Sequence, residues 1–301
     1  MKKLIFIATI LVIVSSCERD AHIDIPPQVS KLVTESEQGQ NVFPEARIVH
    51  TRGVTDPLPP YGSSDPYIVR NAVVLLYEND VFKDSLKYKA SEDIYKAAIA
   101  KIQAGKTYKL VFSAPDYPTA EAVSFTPTLV PINNMVFTQD AKTDADGNLQ
   151  DEVKITFTDN SSTEDYYLVR LFDAYGGYLY CVKTNDKDVE KLVEEDPLYP
   201  EDCLQSDRLL LSDQNFNGAT KTLILYTQAG TLDPVTSPSV NQKARIELLH
   251  INKDYFKYFK SLNNYENAVD NPFAEPVNLF TNVKNGYGFF TTYAMAVDSI
   301  P

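Results

Sequence analysis

Apolar and polar residues alternate through most of the chain after residue 30, which is the two-residue period of a half-buried β-strand. In the clearest segment, Gly105 opens a turn and Tyr108, Leu110 and Phe112 fall on one face. Such segments are short, rich in β-branched and aromatic residues, and bounded by turn formers. They are residues 46–51, 67–77, 81–88, 94–98, 107–114, 120–125, 135–139, 152–159, 166–173, 178–184, 221–229, 244–251, 277–283 and 288–297. Because no helical pattern separates successive segments in the first half, the chain predicts antiparallel sheets.

One main helix is predicted near residues 253–265 by a period of 3.6 residues. Asn252 can cap it, and Asp254 lies in its first turn, where the helix dipole favours an anion. Its apolar stripe, which predicts contact with the core, is formed by Tyr255, Tyr258, Phe259 and Leu262. The acidic segment 186–195 predicts a second, short helix on a solvated face.

Prolines cluster at residues 126–131 and predict a domain boundary there. Residues 31–127 then form an N-terminal β-sandwich domain, and residues 128–301 form a C-terminal β-rich domain. The strand from Gly105 resembles one in immunoglobulin-like and transthyretin-like sandwiches. The predicted fold is therefore all-β, with two antiparallel β-sandwich-like domains, the first immunoglobulin- or transthyretin-like, and one main helix.

The N-terminus has the layout of an export signal, predicted over residues 1–16. Lys2 and Lys3 precede an apolar run of eleven residues, which is too short to span a bilayer, since a spanning helix needs about 20. Small residues then lead to Cys17. The tetrapeptide Val-Ser-Ser-Cys at 14–17 resembles the lipobox of bacterial lipoproteins, although its first position is more often leucine. In that motif the cysteine thiol carries diacylglycerol and becomes the first residue after cleavage.

This resemblance predicts lipidation of Cys17 and a tether over residues 17–30, which Pro26 and Pro27 keep from becoming helical. An ordinary signal peptide with a chance cysteine is the alternative. Cleavage after residue 16 leaves 285 of 301 residues, with 26 basic and 41 acidic side chains and a formal charge of −15. Such a surface repels phosphate backbones and anionic bilayers, so the chain predicts no nucleic-acid partner and contact with lipid through the anchor alone.

Cys181 and Cys203 are the remaining cysteines, and their spacing is compatible with a disulfide or with two buried thiols. Outside the cytoplasm, a bond closing this loop would contribute about 3 kcal/mol. The loop at 56–67 predicts a partner contact through Pro59, Pro60, Tyr61 and Tyr67, with a plain connection as its alternative.

Motifs for catalysis are missing from the sequence. Its three histidines lack the paired spacing of a zinc site, and no Gly-x-Ser-x-Gly or phosphate-binding glycine loop occurs. Aspartates at 144 and 146 precede Gly147, but Ile155 occupies the twelfth position, where a calcium loop needs an acid, so a hairpin turn is predicted. The sequence predicts no catalytic residue, metal or cofactor.

The C-terminal segment PFAEPVNLFTNVKNGYGFF, at 272–290, resembles the domain of unknown function 4249 family of Bacteroidota lipoproteins, as do residues 71–75 and 105–110. This resemblance implies an outer-membrane lipoprotein, on the periplasmic or the cell-surface face, often beside TonB-dependent (SusC-like) transporters and without established enzymatic activity. The expected function is non-enzymatic binding or docking, accessory to such a transporter. A surface adhesion or structural lipoprotein is the first alternative, and a carboxylate-dependent glycan hydrolase is the second.

Overall fold

The computed structural model describes residues 29–53, 56, 65–179, 181–190, 203–232, 243–269, 275 and 277–300. The predicted signal peptide, Cys17 and most of the tether lie outside these residues, as do Pro59, Pro60 and Tyr61.

The described residues form fifteen strands, one main helix and a short 3-10 helix at Asp213–Asn215. The strands are β1 (Leu32–Gly39), β2 (Glu45–His50), β3 (Val73–Glu78), β4 (Val81–Lys89), β5 (Ile94–Lys96), β6 (Lys106–Ser113), β7 (Ala120–Thr126), β8 (Ile132–Thr143), β9 (Leu149–Thr158), β10 (Tyr166–Phe172), β11 (Leu209–Ser212), β12 (Thr220–Gln228), β13 (Arg245–Ile251), β14 (Val283–Lys284) and β15 (Tyr287–Ser299). The helix α1 is Lys253–Val269. The prediction of an all-β chain with one main helix is confirmed.

Twelve strands form one sheet, in the order β11-β10-β13-β15-β1-β2-β5-β4-β3-β6-β7-β14, and β12-β9-β8 form a second. The described pairs are antiparallel, as predicted, except that β1 and β15 are parallel from Val33 opposite Tyr287 to Gly39 opposite Tyr293. These two strands come from opposite sides of the predicted boundary at 127/128, so the large sheet contains strands of both halves. The division into two domains stays a prediction.

Strand β10 is buried on both faces, which explains why its sequence YYLVRLF does not alternate. One face, with Tyr167, Val169 and Leu171, packs into a core shared with the three-stranded sheet. On the other face, Tyr166 and Leu168 lie in a second core beneath α1. A third core, inside the N-terminal strands, contains Leu76, Tyr108, Phe112 and Phe290.

Strand β1 was not predicted because its inward face is largely polar. Thr34, Ser36 and Gln38 are buried in alternation, and Ser36 Oγ and Gln38 Nε2 both donate to the carbonyl oxygen of Glu45, at 2.6 and 2.7 Å. Hydrogen bonds satisfy these buried polar side chains, so the strand is buried without the alternating apolar residues by which strands are predicted.

The short helix predicted over 186–195 is wrong over its described part. Residues 186–190 are turn and isolated bridge, because Lys221 Nζ binds both Asp186 and Asp188 and draws this segment onto β12. The strand predicted at 178–184 is present only as isolated bridges, and the one predicted at 277–283 is reduced to β14. The strand predicted at 67–77 begins only at Val73. In their described parts outside the named strands, these segments pair with the sheets only through isolated bridges such as Val49 with Ile68 and Lys183 with Tyr226.

Helix α1 begins as predicted. The Asn252 side chain accepts the amide of Tyr255 at 2.9 Å, and Tyr255 and Phe259 are buried in the core beneath the helix. In the described part of the chain, no helix has the length and apolarity needed to cross a membrane.

Asp84 ties strand β4 to the loop after β5. Its buried carboxylate accepts the amides of Ala98, Ile99 and Ala100 at 2.7 to 3.1 Å. Burial raises the pKa of Asp84, but the backbone amides outweigh burial and lower the pKa below its usual value. We expect Asp84→Asn to reduce the free energy of unfolding by about 2 kcal/mol, because hydrogen bonds to a charged acceptor are lost. Urea denaturation at pH 7 measures this loss.

The difference between wild type and Asp84→Asn should depend on pH. A lowered folded-state pKa stabilises the protein above the unfolded value of about 4, and this stabilisation is lost as the pH falls through the folded pKa. The gap should therefore be full at pH 7 and shrink below pH 4. Asp80→Asn, at an exposed position on the same hairpin, is the control and should change little. A gap independent of pH would contradict the role of the charge.

Candidate functional site

Arg170 in β10 is a charged side chain on the helix-facing side of the large sheet. Leu168 on the same strand face is buried beneath α1, so strand alternation directs Arg170 to the same side. Its side chain is only 11% exposed. A buried guanidinium on a central strand is uncommon unless it is paired.

Arg170 is paired with a carboxylate and a phenol. Its Nη2 donates to Glu37 Oε1 at 2.7 Å and to Tyr255 Oη at 3.0 Å. Its Nε is buried and has no hydrogen-bond partner among the described residues. Burial lowers the pKa of Arg170, but Tyr255 and Glu37 outweigh burial and raise the pKa above its usual value. The guanidinium is therefore a permanent cation.

Tyrosines surround this ion pair. Tyr255 lies 5.5 Å from Phe289 and 6.2 Å from Tyr293, measured between ring centroids. Burial, and next the charge of Glu37, raise the pKa of Tyr255 well above its usual value and that of Tyr293 to about 12. These phenols stay protonated at neutral pH, so they serve as hydrogen-bonding groups.

The margin of the site is aromatic and open to solvent. Tyr178 is 50% exposed and packs on Phe172 at 4.6 Å between centroids. The guanidinium of Arg245 lies 3.7 Å from the Phe172 centroid, and its Nε donates to Glu247 at 3.0 Å. Tyrosine and arginine dominate binding hot spots because they combine apolar area with directed polar groups. We call Arg170, Glu37, Tyr178, Tyr255 and Tyr293 the arginine–tyrosine site.

A second candidate is a pocket of about 300 Å³ between the end of β7 and the start of α1, which His250 lines. His250 Nδ1 lies 2.7 Å from the carbonyl oxygen of Thr128 and therefore carries a proton. His250 Nε2 lies 3.0 Å from Asp165 Oδ1. Because both ring nitrogens already have partners in the fold, this imidazole is not free to act as a general base.

Three buried carboxylates beside this pocket are the described group that best resembles a metal site. Asp159, Asp165 and Asp213 each place one oxygen within 4.8 Å of the others. Burial, and next the charges of Asp159 and Asp165, raise the pKa of Asp213.

Each of these carboxylates is already engaged by donors from the chain. Asp159 accepts the Tyr167 hydroxyl and the Gly218 amide, and Asp213 accepts the Asn217 amide group at 3.0 Å. Asp165 accepts the Thr163 hydroxyl at 2.8 Å. The cluster is thus a polar network that joins the loops at 159–165 and 213–218.

The two predicted cysteine partners meet. A disulfide joins Cys181 and Cys203, whose Cα atoms lie 4.7 Å apart. It lines a pocket with the hairpin at 144–148, in which Asp144 Oδ1 accepts the amides of Asp146 and Asn148. The carboxylate of Asp144 thus closes a turn, as expected for a hairpin.

The predicted contact loop at 56–67 is described at Asp56 and from Asp65 to Tyr67. Tyr67 lies edge-on to His50, with ring centroids 5.4 Å apart. The other predicted contact residues of this loop, Pro59, Pro60 and Tyr61, lie outside the described residues. The arginine–tyrosine site was not predicted, although a lone arginine inside the apolar run YYLVRLF is a signal that could have identified it.

No curated protein matches the chain. Residues 20–298 match the family model described as Domain of unknown function (DUF4249). The match includes the C-terminal segment at 272–290 and strand β10 with Arg170. This protein therefore belongs to the DUF4249 family.

Proposed function

We propose that this protein is an outer-membrane lipoprotein that binds a ligand or docks on a TonB-dependent transporter without catalysing a reaction. The arginine–tyrosine site carries this proposal. Its charged and phenolic groups are fixed by one another, while Tyr178 at its margin presents an aromatic face to solvent. Rigid aromatic and arginine side chains of this kind favour recognition.

The anchor in this proposal is Cys17, supported by the signal-like N-terminus and by the lipobox-like residues 14–17. A single acyl chain attaches a protein only marginally, whereas two or more anchor it stably. The tether would let the binding face reach a neighbouring membrane protein. Because the exported chain is acidic, it would be repelled by an anionic membrane surface, and only the anchor would contact the lipid.

A carboxylate hydrolase is a weaker alternative for the described residues. A glycosidase needs two carboxyl groups about 5 to 9.5 Å apart on either side of a sugar. Asp159, Asp165 and Asp213 are closer together, buried and engaged with donors from the chain. A surface adhesion role shares the anchor and the binding face, and it differs only in the partner.

Lipidation is tested by growing cells with a fatty-acid probe and comparing wild type with Cys17→Ser. We expect label only in the wild type, which should sediment with outer membranes. Equal labelling of the two chains would remove the anchor from the proposal.

Docking is tested by capturing the tagged protein from detergent-solubilised outer membranes. We expect a TonB-dependent transporter with the wild type and a yield reduced about tenfold or more with Tyr178→Ala, because hot-spot truncations weaken binding by about 2 kcal/mol. Tyr265→Ala, at an exposed position on α1, is the matched control and should retain the transporter. Repeated absence of a transporter with the wild type would overturn docking.

A further inference from the structure

The outer edge of β8 is an unpaired strand edge among the described residues. β8 pairs with β9 on one side, and the sheet order ends at β8 on the other. Each of the other long edges has a backbone partner at one or more positions. Lys183 exchanges two backbone hydrogen bonds of 2.8 Å with Tyr226 of β12, the amide of Glu190 donates to Leu210 of β11, and β14 pairs with β7.

Between its two register shifts, at Ile132/Asn134 and Thr138/Lys142, the edge of β8 has neither lysine nor proline to protect it against pairing. Residues 132–139, INNMVFTQ, contain no charge and no proline in a chain that is 23% charged. Proteins generally protect free edges with lysine, proline or a bulge, because an open row of amides and carbonyls is a template for another strand. The uncharged stretch from Asn134 to Thr138, which pairs regularly with β9 on its other side, therefore indicates a surface that a strand can cover.

The side chains of β8 also indicate a missing neighbour. Ile132, Met135 and Phe137 pack against the core beneath the second sheet but are only partly buried. Val136 points to the other face and is 41% exposed. A strand added beside β8 would cover both faces and complete the burial of these apolar groups.

We propose that this edge pairs with the same edge of a second copy of the chain, antiparallel about a two-fold axis at Val136. This register places Val136 opposite itself, Met135 opposite Phe137 and Asn134 opposite Thr138. Met135 then meets Phe137 on the core side, and on the other face the Val136 pair is flanked by pairs of Asn134 with Thr138. An isologous contact of this kind requires a self-complementary surface.

Charge favours the uncharged edge for contact between copies. The chain has a formal charge of −13, so most of its surfaces repel a second copy. Like charges directly opposite each other across strands are destabilising, and the edge at 132–139 has none.

A bulge limits the paired length. The register of β8 on β9 shifts between Thr138 and Lys142. Asp140 there has a positive φ of 49°, and its amide donates to Asp151 at 2.9 Å. A second shift lies between Ile132 and Asn134, so the regular edge runs from Asn134 to Thr138. A contact of five residues buries less than the roughly 1,600 Å² of a standard interface, so the expected dimer is weak and needs a high local concentration.

Sedimentation velocity of the purified full-length protein in detergent tests the self-association. We expect a monomer–dimer equilibrium between about 10 and 200 μM for the wild type. Val136→Lys should weaken it at least tenfold, because two lysines would face each other across the axis. Val123→Lys is the matched control, since Val123 is 47% exposed on β7. A monomeric wild type at 200 μM, or equal dimerisation of Val136→Lys, would overturn the proposal.

Cross-linking tests the register without requiring a stable complex. Val136→Cys should give a disulfide-linked dimer on mild oxidation, because directly opposed residues on antiparallel strands have Cβ atoms about 5 Å apart. Val123→Cys should stay monomeric under the same conditions. Equal yields from the two variants would show random collision and would contradict pairing at β8.

Discussion

Replacing Gly288 by alanine is expected to reduce the free energy of unfolding by about 4 kcal/mol or more. Gly288 has φ of +95°, and a Cβ atom there would lie 1.9 Å from the carbonyl oxygen of Thr34 and 2.8 Å from its carbon. Both are backbone atoms of the adjacent parallel strand, so no side-chain rotation relieves the overlap. The β1–β15 pair, which joins the two halves of the large sheet, would have to separate. Losses of this size are exceptional and follow from such a specific defect.

The variant Gly147→Ala distinguishes the cost of backbone strain from the cost of steric overlap with a neighbouring strand. Gly147 has a similar φ of +90°, but a Cβ atom there would meet nothing within 4 Å. We expect a loss of about 1 kcal/mol, from backbone strain alone. Guanidinium denaturation of both variants and the wild type measures the difference. Similar losses for the two glycines would show that β1 and β15 do not approach as closely as described.

Removing the Arg170 guanidinium is expected to have the second largest effect. Arg170→Met should reduce the free energy of unfolding by about 3 kcal/mol, because the buried Tyr255 hydroxyl loses its donor and Glu37 loses its largely buried ion-pair partner. Arg47→Met is the control, since the pair of Arg47 with Asp65 has a similar length of 2.9 Å but is solvent-exposed. Exposed pairs contribute about 1 kcal/mol or less.

A double-mutant cycle with Glu37→Gln identifies the source of that loss. If Arg170 acts through its ion pair, the double variant should lose at least about 1 kcal/mol less than the sum of the single losses, because no unpaired carboxylate remains. Strictly additive losses would assign the effect of Arg170 to packing alone. The result bears on function as well, since the ion pair positions the tyrosines of the site.

Much of the strand content follows from alternation, since β6 and β7 bury every second residue. Prediction from alternation fails where side chains are buried for a reason other than hydrophobicity. In β1 the buried side chains are Thr34, Ser36 and Gln38, which hydrogen bonds satisfy. In the segment at 186–190, charge suggested a solvated helix, but Lys221 on another strand draws Asp186 and Asp188 inward.

The candidate site also could not be predicted from local sequence patterns. Arg170, Glu37, Tyr255 and Tyr293 lie far apart in the sequence, and each residue alone suggests no more than a strand or helix position. The pair Cys181 and Cys203 was predicted as an open alternative because distance along the chain does not determine whether two sulfurs meet. The structure joins them in a disulfide. Likewise, the sequence does not indicate that Asp165 is the partner of His250, and only the structure places the two side chains together.

The sequence by itself determined the class of the fold, the start of α1 and most strand positions, because these depend on periodicity and on capping within a few residues. Only the tertiary structure decided that β1 and β15 are parallel neighbours, that Arg170 is buried against Glu37, and that β8 keeps an open edge among the described strands. These features depend on contacts between segments more than a hundred residues apart, or on which strand lies last in a sheet. Local propensity contains no information about either.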